Sequence, residues 1–168
     1  MNRNEVHLRW MIRRDLPEML EIEADCFRYP WDEQEFMDCL RRKHVIGVVA
    51  THRNRIVGYM MHSRDEHRIN LINIAVAPAH QRTGIGSKMI DMLIEKLSPE
   101  RRQHIFANVG ERNLNAQLFF KSRGFLAISI LKDFYDLTDD DSYLMHYEFE
   151  RKHCDKTRVS INRIFHVY

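Results

Sequence analysis

The spacing of apolar residues along this chain changes period several times, and each change marks an element. Residues 6–12 alternate and read as a first strand. Leu16, Met19, Leu20 and Ile22 then follow helical spacing to about Cys26, with Asp15 expected to cap the helix and Glu18 to complete a capping box. Asp32 and Glu35 repeat that signature ahead of a second helix running through Leu40. Two largely apolar runs, 45–50 and 56–62, predict a hairpin over Asn54, and 69–76 continues the meander. Met89, Ile90, Leu93, Ile94 and Leu97 return to helical spacing from near Ser87. A strand over 105–109, a helix from Asn113 to about Ser122 ended by Gly124, and strands over 126–132 and 142–150 complete the pattern. The expected fold class is a mixed α/β (α+β) single domain over residues 1–150. Residues 151–168 form a C-terminal extension that begins charged and then offers Val159, Ile161, Ile164, Phe165 and Val167. These suit a short docked strand, a partner contact or a partly ordered tail.

The junction between the 69–76 strand, closed by Pro78, and the helix near Ser87 carries the most chemistry. It reads Gln81, Arg82, Thr83, Gly84, Ile85, Gly86. A strand entering a helix through a two-glycine turn aims several N–H groups into one concavity at the positive end of the helix dipole, which makes a pyrophosphate cradle. Arg82 adds a guanidinium suited to phosphate oxygens. A nucleotide P-loop would need two glycines five apart followed by Lys and Ser or Thr. A dinucleotide fingerprint would need a third glycine where Met89 stands.

The remaining match is the Q/R-x-x-G-x-G/A turn of the Gcn5-related N-acetyltransferase (GNAT) family, which residues 1–150 resemble throughout. The closest likeness is to bacterial ribosomal-protein alanine N-acetyltransferases. Tyr29, Pro30, Trp31 and Asp32 look like their aromatic-Pro-Trp loop, and Asn73, Ile74, Ala75 and Val76 like the strand that meets the acetyl and pantetheine groups. Asn113, Ala116, Gly124 and Phe125 resemble the later helix and its exit, and Phe134 and Tyr135 with residues 141–145 the last hairpin. The resemblance implies a splayed, mostly antiparallel sheet and acetyl-CoA as co-substrate. It places the cofactor on Ile74, Ala75, Val76, Arg82, Thr83, Gly84, Ile85, Gly86, Ser87 and Asn113. A protein or peptide N-terminus would lie against Tyr29, Pro30 and Trp31, which can equally be a core plug.

Two departures bear on catalysis. Where the resembling enzymes carry a Glu base, this chain has Asn108, and where they carry a Tyr that assists the sulfur it has Phe120. Glu111, Tyr135 or a water on Asn108 are the candidate stand-ins, so Asn108, Glu111 and Tyr135 are the candidate catalytic residues. General acid–base help is worth about 100- to 10,000-fold. A lysine amine of pKa about 10.4 is neutral in roughly one molecule in a thousand at neutral pH, whereas an α-amine of pKa near 8 is neutral in about one in ten. Losing both assistants therefore penalises lysine more, and the expected acceptor is a protein N-terminal α-amine. A catalytically degenerate CoA-binding module and a small-molecule amine acetyltransferase remain alternatives.

Composition narrows this little further. The chain has 168 residues, 44% hydrophobic and 30% charged, as expected of one globular domain. A formal charge of +2 gives no argument for nucleic acid or a membrane surface. No run approaches the roughly 18 apolar residues of a span, the N-terminus lacks the apolar core of a signal peptide, and Cys26, Cys39 and Cys154 read as reduced thiols, so a cytoplasmic location is expected. The ten histidines, His62, His67, His80 and His104 among them, share no ligand spacing; no metal is expected, and they read mostly as surface residues.

Overall fold

The computed structural model describes residues 5–132 and 141–149. Among these residues, seven strands form one sheet: β1 (Val6–Trp10), β2 (Val45–His52), β3 (Arg55–Arg64), β4 (Arg68–Val76), β5 (His104–Gly110), β6 (Leu126–Leu131) and β7 (Ser142–Glu148). Their order across the sheet is β1-β2-β3-β4-β5-β7-β6, and only β4 and β5 run parallel. Four helices flank them: α1 (Leu16–Cys26), α2 (Glu33–Arg41), α3 (Ile85–Ile94) and α4 (Leu114–Ser122). Leu16, Met19 and Ile22 of α1 and Phe36 of α2 pack with Val49, Tyr59 and Met61 on one face. Met89, Ile90 and Leu93 of α3 and Phe120 of α4 pack with Val48, Met60, Ile69, Ile105 and Ala107 on the other. With helices on both faces, β3 is buried from Ile56 to His62, which is why its sequence reads as a run and not as an alternation.

Local chemistry sets the element ends. Asp32 accepts from the Glu35 amide at 2.8 Å and Glu35 answers the Asp32 amide at 2.8 Å, so the expected capping box starts α2. Arg53 and Asn54, with φ of 49° and 62°, make the two-residue turn between β2 and β3, whose backbone twist suits a hairpin. The box expected at Asp15 and Glu18 does not form. Asp15 takes two charge-assisted bonds from Arg9, at 2.6 and 2.7 Å, and one from the Ile12 amide at 2.8 Å, closing a short 3-10 turn before α1. Those bonds outweigh a neutral cap. Glu18 turns instead to Arg55 Nε and the Ile56 amide, at 3.0 and 3.1 Å.

The sheet opens in the middle. β4 pairs with β5 only from Arg68–His104 to Leu71–Ala107. On its other side Met61 pairs with Asn73 and His62 with Leu71, so Ile72 is an extra residue in β4. Such a bulge bends its strand. Beyond it β4 stays with β3, while β5 follows β7 as far as Gly110–Ser142. A wedge therefore opens between residues 72–76 and 108–110.

Candidate active site

The cradle stands at the mouth of this wedge. Gly84 caps α3 in the left-handed region, with φ of 91°, and Arg82 shares that region at 61°. The first helical bond of α3 runs from the Lys88 amide to the Gly84 carbonyl at 3.0 Å. The amides of Ile85, Gly86 and Ser87 therefore lack helical acceptors, as the N–H groups at an anion-binding helix start do. The helix starts at Ile85, two residues before the expected Ser87, and this draws Gly86 into its first turn. A Cβ on Gly86 would sit 3.2 Å from Phe119 Cζ, so this glycine allows α3 to pack closely on α4. Thr83 Oγ1 donates to the His80 carbonyl at 2.6 Å and steadies the turn.

Backbone direction decides which parts of β4 reach the wedge. The Ala77 amide donates to the Val57 carbonyl at 3.0 Å, so residue 77 faces β3, and by alternation so do Ala75 and Asn73. Ile74 and Val76 turn their peptide groups into the opening. The Val76 carbonyl is already held there by Gln81 Nε2 at 3.0 Å and Cys26 Sγ at 3.3 Å, and the Ile74 amide points to the same side, beyond the last β4–β5 pair. Of the three expected β4 residues, Ala75 is the one whose backbone belongs to the β3 ladder.

Asn108 is the first residue of β5 beyond the last β4–β5 pair, so it stands at the apex, and it is exposed. Glu111 lies on the exposed loop after β5, with its carboxylate 4.0 Å from Arg112 Nε. Phe120 is buried to 3% exposure against Phe119 and Phe125. Asn113 caps α4, its Oδ1 accepting from the Ala116 amide at 3.0 Å. Tyr135 and residues 151–168 lie outside the described residues.

The aromatic loop divides. Trp31 packs edge-on against Phe36, with ring centres 5.3 Å apart, and Phe36 packs in turn on Tyr59 at 5.5 Å. Tyr29 is 49% exposed and Pro30 is exposed, with Arg28 over the Tyr29 ring at 5.3 Å. Trp31 thus anchors the loop to the α1–α2 core, and Tyr29 and Pro30 present its outer surface. Beneath the loop lies Glu23, which the sequence reading passed over. At 1% exposure it accepts from the Trp31 amide at 3.0 Å, from Asn73 Nδ2 at 3.3 Å and from the Tyr59 hydroxyl. Burial pushes its carboxyl above the usual range, and the Trp31 and Asn73 donors oppose that rise. Its place four residues after Met19, on the apolar stripe of α1, was the available signal.

A second group was also missed. Ile105, Ala107 and Val109 face the α3–α4 core, so His104, Phe106 and Asn108 share the other face of β5. His146 of β7 is the register partner of Phe106 and stacks on it, with ring centres 4.7 Å apart at 14°. His146 Nε2 lies 3.0 Å from His104 Nδ1. Nor is His62 a surface residue: it is fully buried. Among the described residues no cluster of His, Cys, Asp and Glu suits a metal ion, and no helix is long and apolar enough to cross a membrane.

The parallel pair splayed at a bulge, with the glycine turn at its mouth, matches the fold that the resemblance implied, and the comparisons agree. The family model described as the acetyltransferase (GNAT) family matches residues 16–125, and the chain belongs to that family. The [ribosomal protein bS18]-alanine N-acetyltransferase of Escherichia coli K12 is 26% identical over 133 residues, 78% of this chain and 89% of that protein. The crystal structure of the ribosomal-protein-S18-alanine N-acetyltransferase from Escherichia coli superposes with a TM-score of 0.76 at 22% identity, covering 95% of this chain and 99% of that one. Arabidopsis thaliana NAA60 in complex with acetyl-CoA gives 0.75 at 17% identity, covering 86% and 99%. The protein is an acetyltransferase with the fold that the sequence implied.

Proposed function

We propose that this acetyltransferase moves the acetyl group of acetyl-CoA to the N-terminal α-amine of a protein. The observation that carries the reading is the wedge itself, with free α3 amides at its mouth and the Ile74 amide along its wall. The pyrophosphate would rest on the amides of residues 85–87 beside Arg82, and the pantetheine arm would lie along residues 74–76. The thioester oxygen would accept from the Ile74 amide. The amine would approach past Tyr29 and Pro30 towards Asn108, on the α1–α2 side of the sheet. The similarity to [ribosomal protein bS18]-alanine N-acetyltransferases, at 26% identity over most of this chain, supports a protein N-terminus as acceptor.

The residues at the apex favour the same acceptor. Asn108 takes no proton, and Phe120 gives none to the departing sulfur. A CoA thiol with the ordinary pKa of about 8.5 leaves as thiolate without help. An α-amine, neutral in about one molecule in ten, needs less assistance than lysine. Thiol release from acetyl-CoA against N-terminal peptides, lysine peptides and polyamines tests this reading. Fastest turnover is expected with α-amine peptides, and preference for lysine peptides or polyamines would refute it. Gly84→Asp, which sets bulk and negative charge on the cradle, should abolish acetyl-CoA binding in calorimetry while the protein stays folded.

A further inference from the structure

We propose that His146 is the proton-relay residue of this enzyme, taking the acceptor amine's proton through a water held at Asn108. The inference rests on the acetyl-transfer reading above and supplies the base that position 108 lacks. In the transfer the amine nitrogen bonds to the thioester carbon, the C–S bond breaks, and its electron pair leaves with the CoA thiolate. The new amide nitrogen must then lose one proton. The Asn108 carboxamide has no basic lone pair, but it can orient a water that does the carrying.

Register brings an imidazole to that water. Asn108 pairs with Leu144 and Phe106 with His146, so Asn108 and His146 are diagonal neighbours on one face of the sheet. Such neighbours stand about 7–8 Å apart at the backbone, a gap that two side chains and one water fill. The ring of His146 is held in plane by the Phe106 stack. Its Nε2 meets His104 Nδ1, and its Nδ1 has no hydrogen-bond partner among the described residues. With the Nε2 proton donated to His104, Nδ1 carries the lone pair that accepts. The same bond stabilises the imidazolium that forms, as an orienting group does for a catalytic histidine. The proton then leaves to solvent by the water through which it came.

The charged and titratable neighbours fit that task. His104 faces His146 from β5, Glu148 lies one same-face position further along β7, and Arg68 of β4 reaches over Phe106 at 5.9 Å while bound to Asp65. Leu126, the register partner on β6, carries no charge. Burial, and then the neighbouring His104, hold His146 below the ordinary imidazole range, and Glu148 opposes this. The ring is therefore neutral and able to accept at neutral pH.

His146→Phe keeps a stacked ring and removes the lone pair. With whichever amine the wild type turns over, kcat should fall about 100-fold, the lower end of general-base help. The KM for acetyl-CoA should hold, and the limb of the kcat–pH profile set by the imidazole should vanish. Adding Asn108→Glu to His146→Phe should restore most of the rate, because a carboxylate at the apex takes the proton directly. A folded His146→Phe with wild-type kcat and pH profile overturns the relay. So does a lower kcat with an unchanged pH limb and no rescue, which marks a packing role. Wild type active only on lysine or polyamines refutes the N-terminal reading and leaves the relay to be read on that amine. Wild type inert towards every amine overturns both.

Discussion

His62 shows what burial does to a single side chain in this fold. Both ring nitrogens are enclosed with no partner among the described residues, beside Leu8, Ile46 and Met92. Burial, with Arg64 and Lys96 nearby, lowers its pKa from 6.5 to about 4. The folded state thus binds fewer protons than the unfolded one between those values, so stability falls as pH drops from about 6.5 towards 4. The full effect is on the order of 3 kcal/mol at one pKa unit per 1.36 kcal/mol. His62→Leu should flatten that limb in urea unfolding followed against pH, and an unchanged limb would assign it to other groups. Glu23 is the opposite case, a buried carboxylate that binds α1 to the Trp31 loop, β3 and β4. Glu23→Ala leaves the Tyr59 hydroxyl and the Trp31 amide without their acceptor, which costs about 2–4 kcal/mol. Once the loop is loosened, KM for the peptide should rise more than KM for acetyl-CoA, and Glu23→Gln should recover part of the loss. Equal rises in both KM values would show that the loop does not border the acceptor.

At the scale of elements, hydrophobic period carried most of the information. The observed α2, β4, α4 and β6 lie within about two residues of the expected positions, where the apolar period of the sequence changes. Asp15 misled because its partner, Arg9, sits on another element, and local capping signatures cannot weigh a bond across the fold. The wedge was expected from family resemblance alone. The extra residue at Ile72 has no side-chain signature, since a bulge is defined by the register of two strands. His146 was illegible for the same reason: only pairing puts it beside Phe106, forty residues away in sequence. The sequence makes Gly86 part of the two-glycine cradle turn, and the structure adds close packing with Phe119. Gly86→Ala should therefore destabilise the protein by about 1–2 kcal/mol through overpacking. Combining it with Phe119→Leu, which removes the blocking ring, should cost less than the sum of the two single changes in urea unfolding. Additive costs would place the strain elsewhere.

For the molecule as a whole, the question is whether the acetyl group passes directly to the amine or rests first on the enzyme. On the proposed reading, the cradle at the wedge mouth and the exposed Tyr29–Pro30 edge would let both substrates be present together, each with its own approach to Asn108. A covalent route needs an activated nucleophile at the apex, and the described residues supply a poor one. Cys26 is the thiol beside β4, but it is partly buried and donates to the Val76 carbonyl at 3.3 Å. Burial, with Glu23 and Asp25 nearby, raises its pKa, and this keeps it as the less nucleophilic thiol. Cys39 is buried in the α1–α2 core. Direct transfer within a ternary complex is the expected course. Initial rates measured at several fixed peptide concentrations should then give intersecting double-reciprocal lines against acetyl-CoA, and Cys26→Ala should keep its kcat. Parallel lines, together with radiolabelled acetyl retained on the protein in the absence of peptide and lost in Cys26→Ala, would show that the thiol carries the group after all.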